Sequence, residues 1–228
     1  NKVIFTCKTS MQYYMQKYPF VEKGKFIYSY LGTDAGVFKS FKKNNVFTVV
    51  SCSNLIPLKR VHLIIDALYL LDDFEISWTH FGNGILYNDL CLYAENRLHD
   101  KKNIRYQFMG HRDTEEITNF YATENIDCFI TVSETEGLPV SIMEALAYGL
   151  PIIATNVGGI CEQVVDNGIL LESEVTAEQI SEALRTLHDL PENKINEMRN
   201  KSIQLWSNLF DIKRNSSRLA EILLQMTK

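Results

Sequence analysis

The chain has 228 residues, of which 46% are hydrophobic and 22% are charged, and its formal net charge is −5. This length and composition allow one sizeable buried core, and they argue against a nucleic-acid surface because lysine and arginine are scattered along the chain. We expect neither a signal peptide nor a membrane-spanning helix, because the sequence lacks the pattern of the first and the apolar run of roughly 18 residues that the second requires.

The cysteines and histidines are widely spaced and do not form metal-ligand patterns. No Cys-x2-Cys pair and no His-x3-His spacing occurs, so neither a structural metal nor a cofactor is expected. An odd number of cysteines in apolar segments is typical of reduced thiols, which predicts a cytoplasmic protein. These residues are Cys7, Cys52, Cys91, Cys128 and Cys161, with His62, His80, His99, His111 and His188.

Short apolar segments alternate with helical segments along most of the chain. This alternation predicts βαβ units and a doubly wound, Rossmann-like α/β fold with a mainly parallel sheet covered on both faces. From Thr176 onward only helices are predicted, and Thr176 with Gln179 forms a candidate capping box. The predicted strands lie near residues 26–31, 46–52, 74–79, 104–109, 127–132, 151–155 and 169–171, and the final helices near residues 176–189, 191–207 and 211–226.

Two cations stand where the second predicted strand leads into a helix. Lys59 and Arg60 would lie at the amino end of an amphipathic helix that runs to Leu71. Positive charge at that position opposes the helix dipole unless an anion is bound, which favours a phosphate site. A solvated basic pair is the alternative.

Glycine residues follow several of the later strands. Gly82 comes after the third predicted strand, Gly110 after the fourth, and Gly158 and Gly159 after the sixth, before a helix predicted near residues 160–165. An open parallel sheet binds ligands at the carboxyl ends of its strands, so these loops are expected to face one cleft. Taken singly, each glycine is more simply a turn residue.

The segment after the fifth predicted strand has the features of an anion site between two carboxylates. Pro139 suits the first helical position, which makes Leu138 the N-cap, and a leucine side chain cannot accept hydrogen bonds from the first amides. These free amides, with Gly137 allowing close approach, predict a diphosphate site. Glu136 precedes the helix and Glu144 lies about 7–8 Å along it, at roughly 1.5 Å per residue. A ribose, a diphosphate and a hexose would fit this layout; the alternative is a solvated loop whose amides bind water.

These residues resemble the C-terminal half of group 1 glycosyltransferases, the retaining family 4 of GT-B architecture. The resemblance is carried by residues 127–133, by the segment from Glu136 to Pro139 and by Glu144, which together are similar to the family's Glu-x7-Glu signature. It implies that Glu136 contacts the hydroxyls of the donor sugar and that Glu144 contacts the ribose. It also implies that the amides from Gly137 to Val140 hold the diphosphate.

The resemblance further assigns cations to the diphosphate. Lys59 matches the family's diphosphate-binding lysine, and with Glu136 it forms the expected catalytic pair. Asn54 stands where the family commonly has a phosphate-binding arginine, and Arg60, where a glycine is common, is expected to compensate. The other residues expected at the donor site are Leu138, Pro139, Gly82, Gly110, Gly158 and Gly159.

The resemblance divides the chain into three parts. Residues 1–44 would be a remnant of an N-terminal lobe with the linker between lobes, in which Gly32-Thr33-Asp34 is similar to the family's linker motif. Residues 45–210 would bind the nucleotide sugar, and residues 211–228 would form a helix that crosses back to the N-terminal lobe. Apolar side chains of that helix are then expected to be partly exposed, with an ordinary packed helix as the alternative. They are Leu219, Ile222, Leu223 and Met226.

The resemblance therefore implies the donor-binding domain of a retaining, metal-independent enzyme that transfers a sugar from a nucleoside diphosphate sugar to a hydroxyl acceptor. Polysaccharide or glycoconjugate synthesis is the expected setting, and a fragment without the N-terminal lobe is expected to hold the donor but not to turn over. The expected partners are the donor and that lobe, with a peripheral contact to the inner face of a membrane left open. The alternatives are a non-catalytic nucleotide-sugar-binding module and, less favoured, a phosphorylase-type or epimerase-type enzyme.

Overall fold

The computed structural model describes residues 2–38 and 42–226. Residues 1, 39–41 and 227–228, which fall in the first and last of the three predicted parts, lie outside the described residues. The strands are β1 (Val3–Phe5), β2 (Phe26–Tyr28), β3 (Val46–Cys52), β4 (Glu75–Phe81), β5 (Ile104–Phe108), β6 (Cys128–Thr131), β7 (Ile152–Thr155) and β8 (Gly168–Leu171). The α-helices are α1 (Lys8–Lys17), α2 (Val61–Tyr69), α3 (Tyr87–Leu98), α4 (Thr114–Thr123), α5 (Val140–Ala147), α6 (Ala177–Asp189), α7 (Glu192–Leu209) and α8 (Ile212–Met226).

Strands β3 to β8 form one parallel sheet in the order β5-β4-β3-β6-β7-β8. The chain adds β4 and β5 on one side of β3 and then crosses to add β6, β7 and β8 on the other side. The order therefore reverses between β3 and β6, and ligands of doubly wound sheets bind at the carboxyl ends of the strands beside such a reversal. The predicted α/β fold with a Rossmann-like parallel sheet is confirmed.

Apolar clusters cover both faces of this sheet. All four residues of β6 and all four of β7 are buried. Successive side chains of a strand point to opposite faces, and accordingly Ile130 packs in one cluster and Phe129 in the other. The first cluster includes Ile64 of α2 and the second includes Ile142 of α5. The loops that follow these buried central strands all emerge at the carboxyl edge of the sheet.

The first residues form a small unit beside the sheet. Strands β1 and β2 pair with each other in parallel, and α1 connects them. The sequence pattern does not predict this helix. The carboxylate of Glu162 accepts hydrogen bonds from the amide and hydroxyl of Thr9, at 2.7 and 2.6 Å, and from the Tyr30 hydroxyl at 2.5 Å. Burial alone would raise the pKa of Glu162, but these hydrogen bonds outweigh it and lower the pKa. A charged group of the large domain therefore fixes the start of α1.

The predicted linker segment runs against the C-terminal helices. The Thr33 amide donates to the Phe210 carbonyl at 2.9 Å, and the Ile212 amide donates to the Thr33 carbonyl at 3.2 Å. The Trp206 indole N–H donates to the Thr33 hydroxyl at 2.9 Å. Gly32 leaves no room for a side chain, because a Cβ there would lie 2.7 Å from the backbone of Ile212.

Helix α8 carries an apolar face that is largely open to solvent. Leu223, Leu224 and Met226 are 48%, 65% and 39% exposed, and Leu219 and Ile222 are half-buried. The expected partial exposure is confirmed, whereas the crossing of this helix to another lobe stays a prediction. Within the described residues, no helix combines the length and apolar character that crossing a membrane requires.

Two local predictions are wrong in detail. Helix α5 begins at Val140, and its N-cap is Pro139 with extended backbone (φ −60°, ψ 123°), so Leu138 is a buried loop residue instead of the cap. The fixed φ of proline fits both positions, which is why the sequence does not separate them. The helix predicted near residues 160–165 is a single 3₁₀ turn, Ile160–Glu162. The left-handed conformation of Asp166 (φ 57°) turns the chain away soon after it.

Candidate functional site

The carboxyl ends of β3 to β6 border a cleft of about 370 Å³. The segment after β3 contributes Asn54 and Lys59, the loop after β6 contributes Glu136, and α5 contributes Val140 and Glu144. The cleft thus lies where the strand order reverses, the place at which such sheets bind ligands. Its other lining residues are Cys52, Ser53, Phe81, Gly82, His111, Arg112, Thr114, Ile117, Pro139 and Ser141.

One oxygen of Glu136 is held by two donors. Lys59 Nζ lies 2.5 Å from Glu136 Oε1, and the buried hydroxyl of Ser133 donates to the same oxygen at 2.6 Å. The side chains of Lys59 and Glu136 are 21% and 12% exposed, so solvent screens this pair less than a surface ion pair. Within the part of the chain that the structure describes, Glu136 Oε2 has no hydrogen-bond partner. That second oxygen is available to a ligand.

The first turn of α5 presents backbone amides that no side chain caps. Such amides need an acceptor from outside the helix, and the positive end of the helix dipole favours an anion there. Beside them, a Cβ placed on Gly137 would meet no atom within 4 Å, so this part of the loop faces open space. Pro139, Val140 and Ser141 line the cleft, so the amino end of α5 borders open space in the described chain.

Two glycines support the loop that carries Glu136. Gly158 has a left-handed backbone (φ 57°), and a Cβ on it would lie only 1.9 Å from the carbonyl oxygen of Glu136. The Gly159 amide donates to the Gly137 carbonyl at 2.7 Å. Only glycine allows this close packing of backbone on backbone, so the loop after β7 fixes the loop after β6.

Glu144 lies in the cleft as a half-buried carboxylate. Burial raises the pKa of Glu144 above its ordinary value. Burial, with a smaller contribution from the charge of Glu144, raises the pKa of the Cys52 thiol to about 12, so this thiol stays protonated at neutral pH. No side chain of the described residues donates a hydrogen bond to Glu144, which leaves both of its oxygens to accept from ligand hydroxyls.

A buried hydrogen-bond chain fixes the strand ends next to the cleft. The Trp78 indole N–H donates to Ser51 Oγ at 2.9 Å, and this oxygen lies 2.8 Å from His80 Nδ1. His80 Nε2 lies 3.2 Å from the Ser53 carbonyl, which can only accept, so Nε2 carries the proton and Nδ1 accepts from Ser51. Burial lowers the pKa of His80 to about 4, and this histidine is therefore neutral.

Two further clefts adjoin the first, one at each carboxylate. One of about 640 Å³ lies between Glu136 and α1 and is lined by side chains that include Tyr13 and Tyr14. The other, of about 490 Å³, shares Glu144 with the first cleft and includes Asp34 of the predicted linker. Each carboxylate thus stands at the border between two clefts, and a ligand that touches both must be elongated.

A sequence profile of the family described as glycosyl transferases group 1 matches residues 34–204. This range contains Lys59, Glu136 and Glu144 together with all six strands of the large sheet. The chain belongs to the group 1 glycosyltransferases.

Known relatives of this group 1 glycosyltransferase match it over different lengths. The chain is 37% identical over 78 residues to the O-antigen biosynthesis glycosyltransferase WbnH of Escherichia coli, covering 34% of this chain and 22% of that protein. It is 35% identical over 175 residues to an uncharacterized glycosyltransferase of Haemophilus influenzae, covering 68% of this chain and 48% of that protein. The chain thus spans less than half the length of these curated relatives. Its fold is similar to that of HepE from Anabaena in complex with UDP, with a TM-score of 0.80 at 21% identity over 98% of this chain and 64% of that one.

The family and fold expected from the Glu-x7-Glu pattern are therefore confirmed. Of the residues expected at the donor site, the cleft is lined by Asn54, Lys59, Gly82, Glu136, Pro139, Val140 and Glu144. Gly110 stands behind Gly82, whose amide donates to the Gly110 carbonyl at 2.8 Å. Gly158 and Gly159 support the Glu136 loop, and the side chain of Leu138 is buried in the core. Gly137 adjoins the cleft residue Glu136 in sequence but does not itself line the cleft. Donor contact by each of these residues stays a prediction.

Arg60 does not take the place expected of it. Its guanidinium donates to the carbonyl oxygens of Val132, Ser133 and Ser173, at 2.7, 3.0 and 2.9 Å, and it does not line the cleft. The expectation that Arg60 replaces a phosphate-binding arginine at Asn54 is corrected accordingly. Arg60 has a left-handed backbone (φ 48°), and its side chain takes a different direction from that of Lys59. Lys59 lines the cleft, whereas Arg60 binds the carbonyls that follow β6.

Several cleft residues are not among those predicted from the sequence, and two of them carry basic side chains. His111 and Arg112 follow Gly110 directly and line the same cleft as Lys59. The Arg112 side chain is 41% exposed and lies 3.4 Å from Glu116. The sequence signal that could have identified them is a pair of basic residues directly after a glycine that follows a strand. Among residues 2–38 and 42–226, no three His, Cys, Asp or Glu residues are grouped as a metal site.

Proposed function

We propose that this chain binds the nucleoside diphosphate sugar of a retaining glycosyltransferase, which transfers the sugar to a hydroxyl acceptor. The observation that carries the proposal is one cleft in which the uncapped start of α5 lies between Glu136 and Glu144, beside Lys59. The diphosphate would bind the α5 amides and Lys59, because an anion suits a helix amino end. The sugar hydroxyls would donate to Glu136 and the ribose hydroxyls to Glu144.

Catalysis would then be largely electrostatic. As the bond between the sugar and the diphosphate breaks, negative charge grows on the leaving oxygen, and preorganised donors stabilise that charge. Lys59 and the first amides of α5 are the donors nearest to the proposed diphosphate position, and Arg112 adds a second cation to the cleft. These groups would supply the charge compensation that a metal ion otherwise provides, and on this ground we propose a metal-independent reaction.

Donor binding would separate Lys59 from Glu136. In the free protein these two charges offset each other at 2.5 Å. A diphosphate carries more negative charge than one carboxylate and would attract Lys59, while Glu136 turns to neutral sugar hydroxyls. Both residues would thus exchange a contact with each other for contacts with the donor, and the donor would displace an internal ion pair instead of entering a preformed cationic pocket.

The cleft between Glu136 and α1 suits an acceptor, and the exposed face of α8 suits a second lobe. The cleft between Glu136 and α1 offers Tyr13 and Tyr14, which are 56% and 43% exposed, and their rings can pack against the apolar face of a sugar. We place the acceptor there, on a polysaccharide or glycoconjugate as the name of WbnH suggests for that relative. The apolar face of α8 would pack against an N-terminal lobe of the complete, cytoplasmic protein.

UDP is the first nucleotide to test, because HepE was solved with UDP bound. A thermal-shift panel of UDP, GDP and ADP on the present chain separates the bases. A nucleotide at about 100 times its Kd stabilises the folded state by roughly 2.7 kcal/mol, which raises Tm by about 5–11 °C for a chain of this size. Glu144→Gln should weaken the response. A chain that no nucleotide stabilises would contradict the proposal.

A substitution at Glu136, together with an assay of sugar transfer, distinguishes an enzyme from a non-catalytic binding module. Glu136→Gln should leave UDP affinity nearly intact and strongly reduce sugar transfer by the complete protein, because the proposed contact is with the sugar and not with the nucleotide. Full transfer activity of this variant would refute the assignment. A complete protein that binds the donor and transfers no sugar to any hydroxyl would instead favour a non-catalytic nucleotide-sugar-binding module.

A further inference from the structure

The hydroxyl of Ser133 lies between β6 and Glu136 and has no exposure to solvent. It donates to Glu136 Oε1 at 2.6 Å, three residues along the chain. We propose that Ser133 is a positioning residue that holds Glu136 in its working orientation. The inference rests on the proposed function of the cleft, in which Glu136 contacts the donor sugar, and it assigns a role to a residue that does not itself touch the donor.

Ser133 is fixed on several sides. Its carbonyl accepts a hydrogen bond from the Thr155 hydroxyl at 2.6 Å and another from Arg60 Nη2 at 3.0 Å. Its own hydroxyl lies 3.3 Å from the Thr131 hydroxyl, which can donate to it while Ser133 donates to Glu136. Thr131 and Thr155 are themselves buried. The chain around Ser133 is therefore anchored to β7 on one side and to the start of α2 on the other.

The two donors to Glu136 Oε1 differ in what they do when a donor substrate arrives. Lys59 is a charged donor that lines the cleft, and a diphosphate would compete for it. Ser133 is neutral and buried, so a diphosphate exerts little pull on it. When Lys59 moves to the diphosphate, Ser133 is the remaining described donor that keeps Oε1 in place. Oε2 then stays directed to the sugar, and Glu136 does not follow Lys59 toward the phosphates.

A purely structural hydroxyl would behave differently from a positioning one. Loss of a structural hydrogen bond lowers the stability of the fold and leaves the reaction rate of the folded protein unchanged. Loss of a positioning bond lowers the rate once the donor is bound, because the misplaced carboxylate acts at the sugar. The split between kcat and nucleotide affinity therefore tells the two roles apart.

The experiment compares Ser133→Ala with Ser202→Ala in the complete protein. Ser202 is a matched control, since it is also fully buried and its hydroxyl donates to a carbonyl, that of Leu150, at 2.8 Å outside the cleft. With water as the acceptor, release of UDP and free sugar from UDP-glucose, UDP-galactose and UDP-N-acetylglucosamine gives kcat, and calorimetry gives the Kd of UDP. Ser133→Ala should lower kcat about 10-fold to 100-fold, the range for a hydrogen bond to a charged group, with the Kd of UDP within about twofold. Ser202→Ala should lower Tm and leave kcat unchanged.

A double-mutant cycle gives the second readout. In a Glu136→Gln background, Ser133→Ala should change kcat far less than in the wild type, because the carboxylate that Ser133 positions is gone. Equal losses in the two backgrounds, or a wild-type kcat in folded Ser133→Ala, would overturn the positioning role while UDP still binds. Failure of the wild type to bind any nucleotide would overturn the proposed function itself, so the two failures are distinguishable.

Discussion

Alanine substitution at Gly158 and at Gly137 should have opposite consequences, because one glycine supports the Glu136 loop and the other faces open space. At Gly158 (φ 57°), a Cβ would lie 1.9 Å from the Glu136 carbonyl oxygen and 2.9 Å from that of Gly137. The left-handed backbone alone costs an alanine about 1–2 kcal/mol, which lowers Tm by roughly 2–8 °C in a chain of this size. The clash with backbone adds to this loss, since no side-chain rotation relieves it.

At Gly137, a Cβ would meet nothing within 4 Å, and the backbone lies outside the left-handed region. Gly137→Ala should therefore keep Tm within about 2 °C of the wild type, as for an ordinary surface substitution. If the diphosphate binds beside this loop, as proposed, the added methyl group would crowd it, and the Kd of UDP should rise about tenfold or more.

Differential scanning calorimetry of both variants and titration calorimetry with UDP check these expectations. Gly24→Ala is a matched control in an exposed turn, where the nearest atom to a new Cβ is Glu22 Oε1 at 3.8 Å, and it should alter neither Tm nor Kd. Unchanged UDP affinity in Gly137→Ala would refute the placement of the diphosphate at this loop. A wild-type Tm in Gly158→Ala would refute the close packing of the two loops.

Two further predictions concern charge. Lys59→Met should raise the Kd of UDP about tenfold and make this Kd less dependent on salt concentration. The reason is that the diphosphate loses its attraction to Lys59, the cation that pairs with Glu136 in the free protein. Equal salt dependence of the Kd in the two proteins would contradict this prediction. His80 has a pKa of about 4 in the folded protein against 6.5 ordinarily, so its contribution to stability is complete above about pH 6.5 and is lost as the pH falls toward 4. Relative to His80→Gln, the free energy of unfolding of the wild type should fall by about 1.4 kcal/mol per pH unit over that window, roughly 3 kcal/mol in total. The same change of unfolding free energy with pH in both proteins would show that His80 is not buried as a neutral group.

The pattern of the sequence is sufficient for the sheet and for most of the cleft. Apolar segments such as Cys128–Thr131 show no polar alternation, which identifies strands buried on both faces and hence a parallel sheet. Once the sheet is parallel, every loop at a carboxyl end belongs to one edge. The convergence of Asn54, Lys59, Glu136 and Glu144 then follows from topology.

The direction of a side chain at a turn does not follow from such patterns. The dipole argument correctly marks Lys59 and Arg60 as cations at a helix start, but it cannot assign them separately. The left-handed φ of Arg60 accompanies the difference, and an arginine in that conformation has no sequence signal, unlike an asparagine or an aspartate. The roles of Arg112 and Ser133 are hidden for a related reason, because each depends on which loop lies across from it after folding.

The ion pair between Lys59 and Glu136 also predicts whether Glu136→Gln strengthens or weakens the binding of UDP. If Glu136 served the nucleotide directly, Glu136→Gln would weaken UDP binding. In the structure, however, Glu136 pairs with Lys59 at 2.5 Å, so it would compete with a bound phosphate for that cation. Removing its charge releases Lys59 to the diphosphate, so UDP affinity should stay equal or increase while transfer falls. The opposite sign, weaker binding of UDP by Glu136→Gln, would mean that the carboxylate acts on the nucleotide and that the sugar lies elsewhere.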